Sequence, residues 1–409
     1  MGVRLASDFC LVPEVVARMN PDDYCPETPS LAAPKSKPHS PPIYLASVWE
    51  MESPAEADQI LGGTQPGYVY QRDGHPNADM LAEKLRLIHA CEQVAITSSG
   101  MSAISAPLLA HVGAGDHVVV GSRVYGKTLV LLQQEMSRLA IDVTVVDTSD
   151  LAATASALTP KTKMLVCETL ANPRLQVADI RQLANLAHER GALLLVDNTF
   201  ASPLVCQPML LGADLVMESL TKMLSGHSDV ILGMIGGTRA AMARVVKVMS
   251  AWGMSSSPFD CWLSLRGLAT AHLRIERACE NALAVAQFLA AHPAVDLVDY
   301  PGLVSHPDHR LSLAQFREGR FGSMVALRLR GGRAAADALI ACDSGIPFCP
   351  SLGELNTTLS HPETTSHRGM SIEAREALGI TGGTIRLSVG TESKETILAR
   401  LEQGLAAAS

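Results

Sequence analysis

Two short segments hold residues whose types and spacing suit chemistry better than a solvated surface. In "SLTK", Lys222 stands among small and apolar residues directly after the run "DLVME". A lysine shielded from water has a lowered pKa and becomes a usable amine nucleophile. In "LLLVDN", Asp197 comes directly after a fully apolar run. A carboxylate there could keep a heteroaromatic ring nitrogen protonated.

Phosphate and ring contacts are predicted beside these two residues. Gly100 and Met101 open a predicted helix after "VAIT", where free backbone N–H groups suit a phosphate. Ser219 and Thr221 add hydroxyl groups, and Tyr125 in "VYGKT" is an aromatic that could stack on a pyridine ring. The set therefore predicts a pyridoxal 5'-phosphate (PLP) site, with Lys222 forming a Schiff base and Asp197 facing the pyridine nitrogen.

A rival of another class starts from "GSRVYGKT", residues 121–128, which fits the G-x-x-x-x-G-K-[ST] pattern of P-loop NTPases. The run "LLLVD" even resembles a Walker B strand. Bulky Arg123, Val124 and Tyr125 stand where backbone amides would have to wrap a phosphate closely. The P-loop NTPase is therefore the less favoured alternative.

These residues must be positioned by a sheet, because the apolar runs alternate with helix-like segments. The predicted strands of this sheet are "VAITS", "HVVVG", "DVTVVD", "KMLVCE", "ALLLVDN", "DLVMES" and "VILGMIGG", and "KTLVLLQQEMSRLA" is one of the predicted helices between them. Two further strands, "SMVALRLR" and "TIRLSVG", are predicted near the C-terminus. This alternation predicts an α/β protein with a mainly parallel sheet covered on both faces, and ligands then bind at the carboxyl ends of the strands. The predicted division is an N-terminal arm over 1–64 that contacts a neighbouring subunit, a large domain over 65–262, and a smaller α+β domain over 263–409.

Composition limits the function classes. The chain has 409 residues and a net charge of −8, which argues against a nucleic-acid partner. No apolar run predicts a membrane span, and the N-terminus does not suit a signal peptide. The nine cysteines form no C-x-x-C pair, so no metal site and no disulfide framework is predicted. A cytoplasmic protein is expected.

From about residue 41 to about 390, the chain resembles the Cys/Met-metabolism (trans-sulfuration) family of fold-type I PLP enzymes. That family includes cystathionine γ-synthase, cystathionine γ-lyase and methionine γ-lyase, with an aspartate aminotransferase-like large domain. The resemblance is carried by "YQR", "SSGM", "VYGKT", "ETLANP", "VDNTFASP", "SLTKMLSGHSDV", "SLGE…HPETTSH" and "IRLSVGTE".

The resemblance implies roles for further residues. Lys222 and Tyr125 would be catalytic, and Tyr70 and Arg72 would reach the phosphate of a neighbouring subunit. The expected assembly is therefore a homo-oligomer, as a dimer of active dimers. Arg386 would hold the α-carboxylate of an amino-acid substrate, with Ser351 and Asn172 beside it.

The resemblance favours elimination at Cγ of a sulfur-containing or γ-substituted L-amino acid, giving a 2-oxo acid and ammonia. Replacement at Cγ, as in a cystathionine γ-synthase or an O-acylhomoserine sulfhydrylase, is the alternative. The chain departs from the family pattern at Pro350 and Lys127. Lys127 either selects an anionic group at the distal end of the substrate or points to solvent.

Overall fold

A seven-stranded sheet brings the predicted strand ends together. The computed structural model describes residues 36–317 and 319–408. Its large sheet consists of β1 (Gln93–Thr97), β2 (His117–Gly121), β3 (Asp142–Val146), β4 (Thr162–Glu168), β5 (Leu193–Asp197), β6 (Leu215–Ser219) and β7 (Gly233–Gly237). The strand order is β1-β7-β6-β5-β4-β2-β3.

The large sheet is mainly parallel, as the sequence predicted. Pairs β3–β2, β2–β4, β4–β5 and β5–β6 are parallel, whereas β7 runs antiparallel to both β6 and β1. Strands β2, β5 and β6 are almost completely buried, which explains their continuous apolar sequences. The carboxyl ends of β1, β2, β4, β5 and β6 therefore share one edge.

Strand β7 has the sequence Gly-Met-Ile-Gly-Gly and little side-chain bulk. A Cβ atom on Gly233 would collide with the backbone of Ser99, which is the N-cap of the helix after β1. A Cβ on Gly236 would lie 2.7 Å from Cys91 Sγ. These two glycines therefore leave room for the residues that flank β1, Ser99 after the strand and Cys91 before it.

Helices occupy most of the connections between strands. They are α1 (Pro54–Leu61), α2 (Pro76–His89), α3 (Gly100–His111), α4 (Gly126–Val130), α5 (Leu151–Ala157), α6 (Ile180–Glu189), α7 (Arg239–Ala251), α8 (Pro258–Leu268), α9 (Ala271–Ala291), α10 (His309–Gln315), α11 (Gly332–Ala341), α12 (Ile372–Ala377) and α13 (Lys394–Ala407). One predicted helix, "KTLVLLQQEMSRLA", differs in detail, because α4 continues as a π-helical segment over Leu131–Met136. None of the helices within the described residues is both long and apolar enough to cross a membrane.

A smaller antiparallel sheet follows in the C-terminal part. It contains β8 (Val295–Asp299), β9 (Met324–Leu329), β10 (Thr358–Ser360) and β11 (Thr384–Ser388), in the order β10-β11-β9-β8. The sequence predicted β9 and β11 but missed β8 and β10. Strand β8 alternates Val and Leu with Asp, and β10 has only three residues, so neither forms a long apolar run.

The predicted three-part division stays a prediction. Residues 43–409 form one compact unit by their contacts, and one buried apolar cluster runs from α2 through both sheets to α13. Within the predicted arm, residues 1–35 lie outside the described part of the chain, and α1 lies at 54–61. Shared packing therefore joins the predicted parts 65–262 and 263–409.

Candidate active site

A cavity of about 610 Å³ lies at the carboxyl edge of the large sheet. Residues at and after the ends of β1, β2, β4, β5 and β6 line the cavity, and Arg386 of β11 lines it from the smaller sheet. The predicted site residues that line it are Gly100, Met101, Tyr125, Asn172, Asp197, Ser219, Thr221, Lys222 and Arg386. Residues from distant parts of the sequence therefore meet at one place.

Lys222 lies in the turn after β6, and its side chain is partly buried. Its Nζ donates a hydrogen bond to Ser351 Oγ at 3.0 Å. Burial lowers the pKa of Lys222, the positive charge of Arg386 lowers it further, and Glu354 opposes both effects. The amine can therefore lose its proton more readily than a solvated lysine, as a nucleophile requires.

Asp197 is the last residue of β5 and faces the same cavity. Its Oδ1 accepts a hydrogen bond from the Thr199 backbone N–H at 2.9 Å. Burial raises the pKa of Asp197, while the hydrogen bonds from Thr199 favour the ionised form. A carboxylate removed from water is costly unless it has a positive partner. A protonated ring nitrogen beside Asp197 would be such a partner.

The N-terminus of α3 forms a cradle next to Ser219. Ser99 caps the helix by accepting a hydrogen bond from the Ser102 N–H at 3.1 Å, so the first helical N–H groups remain available to an anion. A Cβ atom on Gly100 would lie 2.9 Å from Ser219 Cβ. A side chain at position 100 would thus fill the space, and only glycine keeps the cradle open.

Arg386 in β11 is a buried cation, with 4% of its surface exposed. Its Nη1 donates to Asn172 Oδ1 at 2.9 Å and its Nη2 donates to the Ser351 carbonyl at 3.1 Å. Its buried Nε has no hydrogen-bond partner among the described residues, and its guanidinium lies 5.6 Å from the Phe200 ring centroid. Burial lowers the pKa of Arg386 to about 10. A buried cation with neutral partners and a free N–H is suited to bind a carboxylate.

Tyr125 and Glu168 form a contact that the sequence reasoning missed. The Tyr125 backbone N–H donates to Glu168 Oε1 at 2.5 Å, and Glu168 Oε2 is buried without a partner among the described residues. Burial raises the pKa of Glu168 well above its usual range, and the charge of Asp197 adds to this. Glu168 therefore holds the backbone of Tyr125 in place. The sequence could have indicated Glu168 as a site residue, because it directly follows the apolar run "MLVC" of a predicted strand.

Four predicted residues do not line the cavity. Tyr70 is 44% exposed, and the guanidinium of Arg72 lies 5.2 Å from the Tyr70 ring centroid. Lys127 is exposed on α4 and does not line the cavity. Ser351 does not line it directly but contacts both Lys222 and Arg386. The remaining predicted residues are brought together.

The geometry of residues 121–128 is unlike a phosphate cradle. The α-helical part of the segment after β2 has only five residues before it continues as a π-helix, and Val124 is buried. The backbone N–H of Tyr125 is directed at the Glu168 carboxyl group, where a phosphate would meet an acidic oxygen. The P-loop alternative therefore has no support from this segment.

A buried acid–base pair lies behind the cavity and was also missed. His89, the last residue of α2, has its Nε2 3.2 Å from Glu218 Oε2, and both side chains are 0% exposed. Burial lowers the pKa of His89 to about 3 and raises that of Glu218 well above its usual range. Glu218 immediately precedes Ser219, so this close contact lies between the end of α2 and the end of β6, and neither side chain has a hydrogen-bond partner among the described residues.

The open cradle at Gly100, the partly buried carboxylate of Asp197 and the shielded amine of Lys222 fit the phosphate, ring nitrogen and aldehyde of PLP. Bound there, PLP supplies an electron sink that stabilises negative charge on the substrate. Fold and site together define a PLP-dependent enzyme of fold type I.

The chain belongs to the Cys/Met metabolism PLP-dependent enzyme family, whose model matches residues 28–406. An L-methionine γ-lyase of Fusobacterium nucleatum subsp. polymorphum is 39% identical over 367 residues, covering 89% of this chain and 92% of the relative. An O-succinylhomoserine sulfhydrylase of Pseudomonas aeruginosa is 37% identical, covering 90% and 91%. The crystal structure of cystathionine γ-synthase from Xanthomonas oryzae pv. oryzae in complex with cystathionine has a TM-score of 0.85 and 37% identity, covering 90% and 93%. The expected family and cofactor are thereby confirmed, and the NTPase alternative falls.

Proposed function

We propose that this protein catalyses PLP-dependent elimination at Cγ of a sulfur-containing or γ-substituted L-amino acid. The products are a 2-oxo acid, ammonia and the released γ-substituent. The observation that carries the proposal is the unpartnered, buried Nε of Arg386 beside the amine of Lys222. The guanidinium suits the α-carboxylate of an amino acid, and the amine of Lys222, with its lowered pKa, can take the proton from Cα of the same molecule. The preference for elimination is supported by the similarity to L-methionine γ-lyases.

The side chains of the cavity divide the work of such a reaction. Arg386 holds the α-carboxylate as a charge-assisted clamp, and Asn172 keeps the guanidinium in place. Lys222 Nζ takes the proton from Cα and moves protons along the substrate, because its lowered pKa suits a general base. Tyr125 is 40% exposed at the cavity and is available to transfer a proton to the leaving group.

Replacement at Cγ is the second candidate, supported by the similarity to an O-succinylhomoserine sulfhydrylase and to cystathionine γ-synthases. Elimination and replacement use the same lysine, tyrosine and carboxylate clamp. They differ after the γ-substituent has left. In replacement a thiol adds at Cγ, whereas in elimination the remaining part of the substrate is hydrolysed to the 2-oxo acid and ammonia. The distal part of the cavity therefore decides between them.

A substrate panel tests the proposal. We expect methionine, cystathionine, homocysteine or O-acylhomoserines to yield 2-oxo acid and ammonia with the PLP-loaded protein, measured by a coupled dehydrogenase assay and by mass spectrometry. The same panel is repeated with an added thiol. A thioether formed at the expense of the 2-oxo acid would favour replacement instead. Turnover of none of these compounds by fully loaded protein would contradict both candidates.

We also propose a homo-oligomer in which Tyr70 and Arg72 complete the site of a neighbouring copy. Both side chains are exposed and lie away from the cavity of their own chain, which supports this role. Mixing Lys222→Ala subunits with Arg72→Ala subunits is expected to restore part of the activity, because a mixed dimer contains one site with neither defect. Activity no higher than that of the two variants measured separately, despite subunit exchange seen by native mass spectrometry, would contradict the shared site.

A cytoplasmic location is proposed as well. The cysteines in the described part of the chain are free thiols, and Cys91, Cys167, Cys206, Cys261 and Cys279 are buried. Free buried thiols suit a reducing compartment. Recovery of the protein in a secreted or membrane fraction of its own cells would contradict this location.

A further inference from the structure

Arg368 is a charged residue at the cavity that no part of the proposed chemistry uses. It lines the cavity together with Thr364, Thr365 and Ser366 from the same loop, and its side chain is exposed. Among the described residues, its guanidinium has no ion pair and no side-chain hydrogen bond, unlike the neighbouring arginines. Arg333 and Arg375 both lie within 4.0 Å of Glu363, the acidic residue of this loop. Arg368 therefore keeps its donors free.

The loop presents Arg368 from a well-defined turn. The backbone N–H groups of Thr364 and Thr365 donate to the His361 carbonyl, each at 3.1 Å, and the His367 N–H donates to the Pro362 carbonyl at 2.9 Å. His361 itself is buried and its Nε2 lies 2.8 Å from the Gly382 carbonyl. These bonds hold the loop backbone in place, so that only the side chain of Arg368 has to be ordered when a ligand binds.

The other charged residues of the cavity already have assigned partners. Arg386 holds the α-carboxylate, Lys222 and Asp197 bind the cofactor, and Glu168 holds the backbone of Tyr125. The substrate carboxylate at buried Arg386 fixes one end of the ligand. Its side chain must then extend toward the open side of the cavity, where exposed lining residues such as Arg368 and Pro350 lie.

We propose that Arg368 binds a carboxylate carried by the γ-substituent of the substrate, and so selects substrates with an anionic leaving group. This inference rests on the proposed function at the same site. A guanidinium offers two parallel N–H donors that match a carboxylate, which gives direction as well as attraction. The structure does not bring the exposed Lys127 to the cavity, so Arg368 provides the distal positive charge in its place. The preferred class is a homoserine ester of a dicarboxylic acid, as opposed to an ester of acetic acid.

The test compares substrates and unreactive ligands that differ at the distal end. Turnover is measured with O-succinyl-L-homoserine and O-acetyl-L-homoserine, for wild type, Arg368→Met and Arg368→Lys. Binding is measured separately by calorimetry with L-2-aminosuberate, which has a distal carboxylate and no leaving group, and with L-2-aminooctanoate, which ends in a methyl group. Arg310→Met, on the surface helix α10 outside the cavity, controls for the loss of one positive charge.

We expect Arg368→Met to lower the preference for the succinyl over the acetyl ester by roughly 10- to 100-fold in kcat/KM, as the loss of a charge-assisted hydrogen bond implies. The affinity for 2-aminosuberate falls by a similar factor, the affinity for 2-aminooctanoate stays the same, and Arg368→Lys is intermediate. Arg310→Met leaves all ratios unchanged.

The inference is overturned if wild type shows no preference for a distal carboxylate in either assay, or if Arg368→Met keeps that preference. The binding arm does not depend on turnover. If loaded protein binds 2-aminosuberate through Arg368 but converts none of the γ-substituted amino acids, the proposed reaction fails while the carboxylate site stands. If turnover proceeds without any effect at position 368, the reaction stands and the carboxylate site fails.

Discussion

The Lys222→Ala variant is expected to lose kcat by roughly 1,000-fold or more, because in the proposed reaction this one residue both carries the cofactor and moves the substrate proton. No other lysine lines the cavity among the described residues, so no amine stands ready to replace it. Asp197 and the cradle at Gly100 are left intact. The variant should therefore still bind PLP, but reversibly and without the visible absorbance of a Schiff base.

The measurement combines steady-state kinetics with an absorbance spectrum before and after dialysis. Borohydride reduction of wild type followed by peptide mapping should place the PLP on the peptide that contains Lys222. Lys127→Ala is the matched control, because this lysine is exposed outside the cavity and should keep the wild-type spectrum. Label on a different lysine, or a Lys222→Ala protein that remains coloured after dialysis, would refute the assignment.

The Arg386→Met variant is expected to lose roughly 100- to 1,000-fold in kcat/KM, the effect of removing one partner from a buried charge pair. Arg386 is 4% exposed and its Nε is unpartnered, so the substrate carboxylate has no equivalent donor to turn to. The loss should appear largely in KM if the clamp acts on ground state and transition state alike.

Activity could also fall because the site is disordered, since Arg386 donates hydrogen bonds to Asn172 and to the Ser351 carbonyl. This effect must be distinguished from the loss of carboxylate binding. The discriminating comparison uses an amino acid and its carboxamide as competing ligands. Wild type should prefer the carboxylate, and Arg386→Met should not. Arg328→Met, on the neighbouring strand β9, removes only an ion pair with Asp296 and serves as control. A variant that still discriminates the acid from the amide would show that the carboxylate is bound elsewhere.

Much of the large sheet was predictable, because buried parallel strands carry long apolar runs and end at polar residues. Asp197 and Lys222 each follow such a run, so their meeting at one edge follows from the direction of the strands. The smaller sheet was harder, since β8 alternates apolar and acidic residues and β10 is only three residues long. A strand can be predicted from local sequence only where its own residues form an apolar run or a clear alternation.

Contacts between distant residues could not be predicted from either partner alone. The carboxyl group of Glu168 meets the backbone of Tyr125, 43 residues away, and the sequence shows only an acid after a strand. Glu218 lies 3.2 Å from His89 of α2, 129 positions earlier in the chain, and neither residue alone indicates this contact. Glu363, the acidic residue of the Arg368 loop, lies close to Arg333 and Arg375, and the sequence does not show which of the three arginines it contacts. Each of these depends on three-dimensional neighbours.

The glycines of β7 set a limit on how this protein can change. The strand never touches the cofactor region through a side chain, yet Gly233 lies against the backbone of Ser99 and Gly236 against Cys91. Any larger residue at position 233 would collide with the backbone of Ser99, the N-cap of α3, and so disturb the first turn of that helix beside Ser219. A random library should therefore return almost no functional clone altered at Gly233.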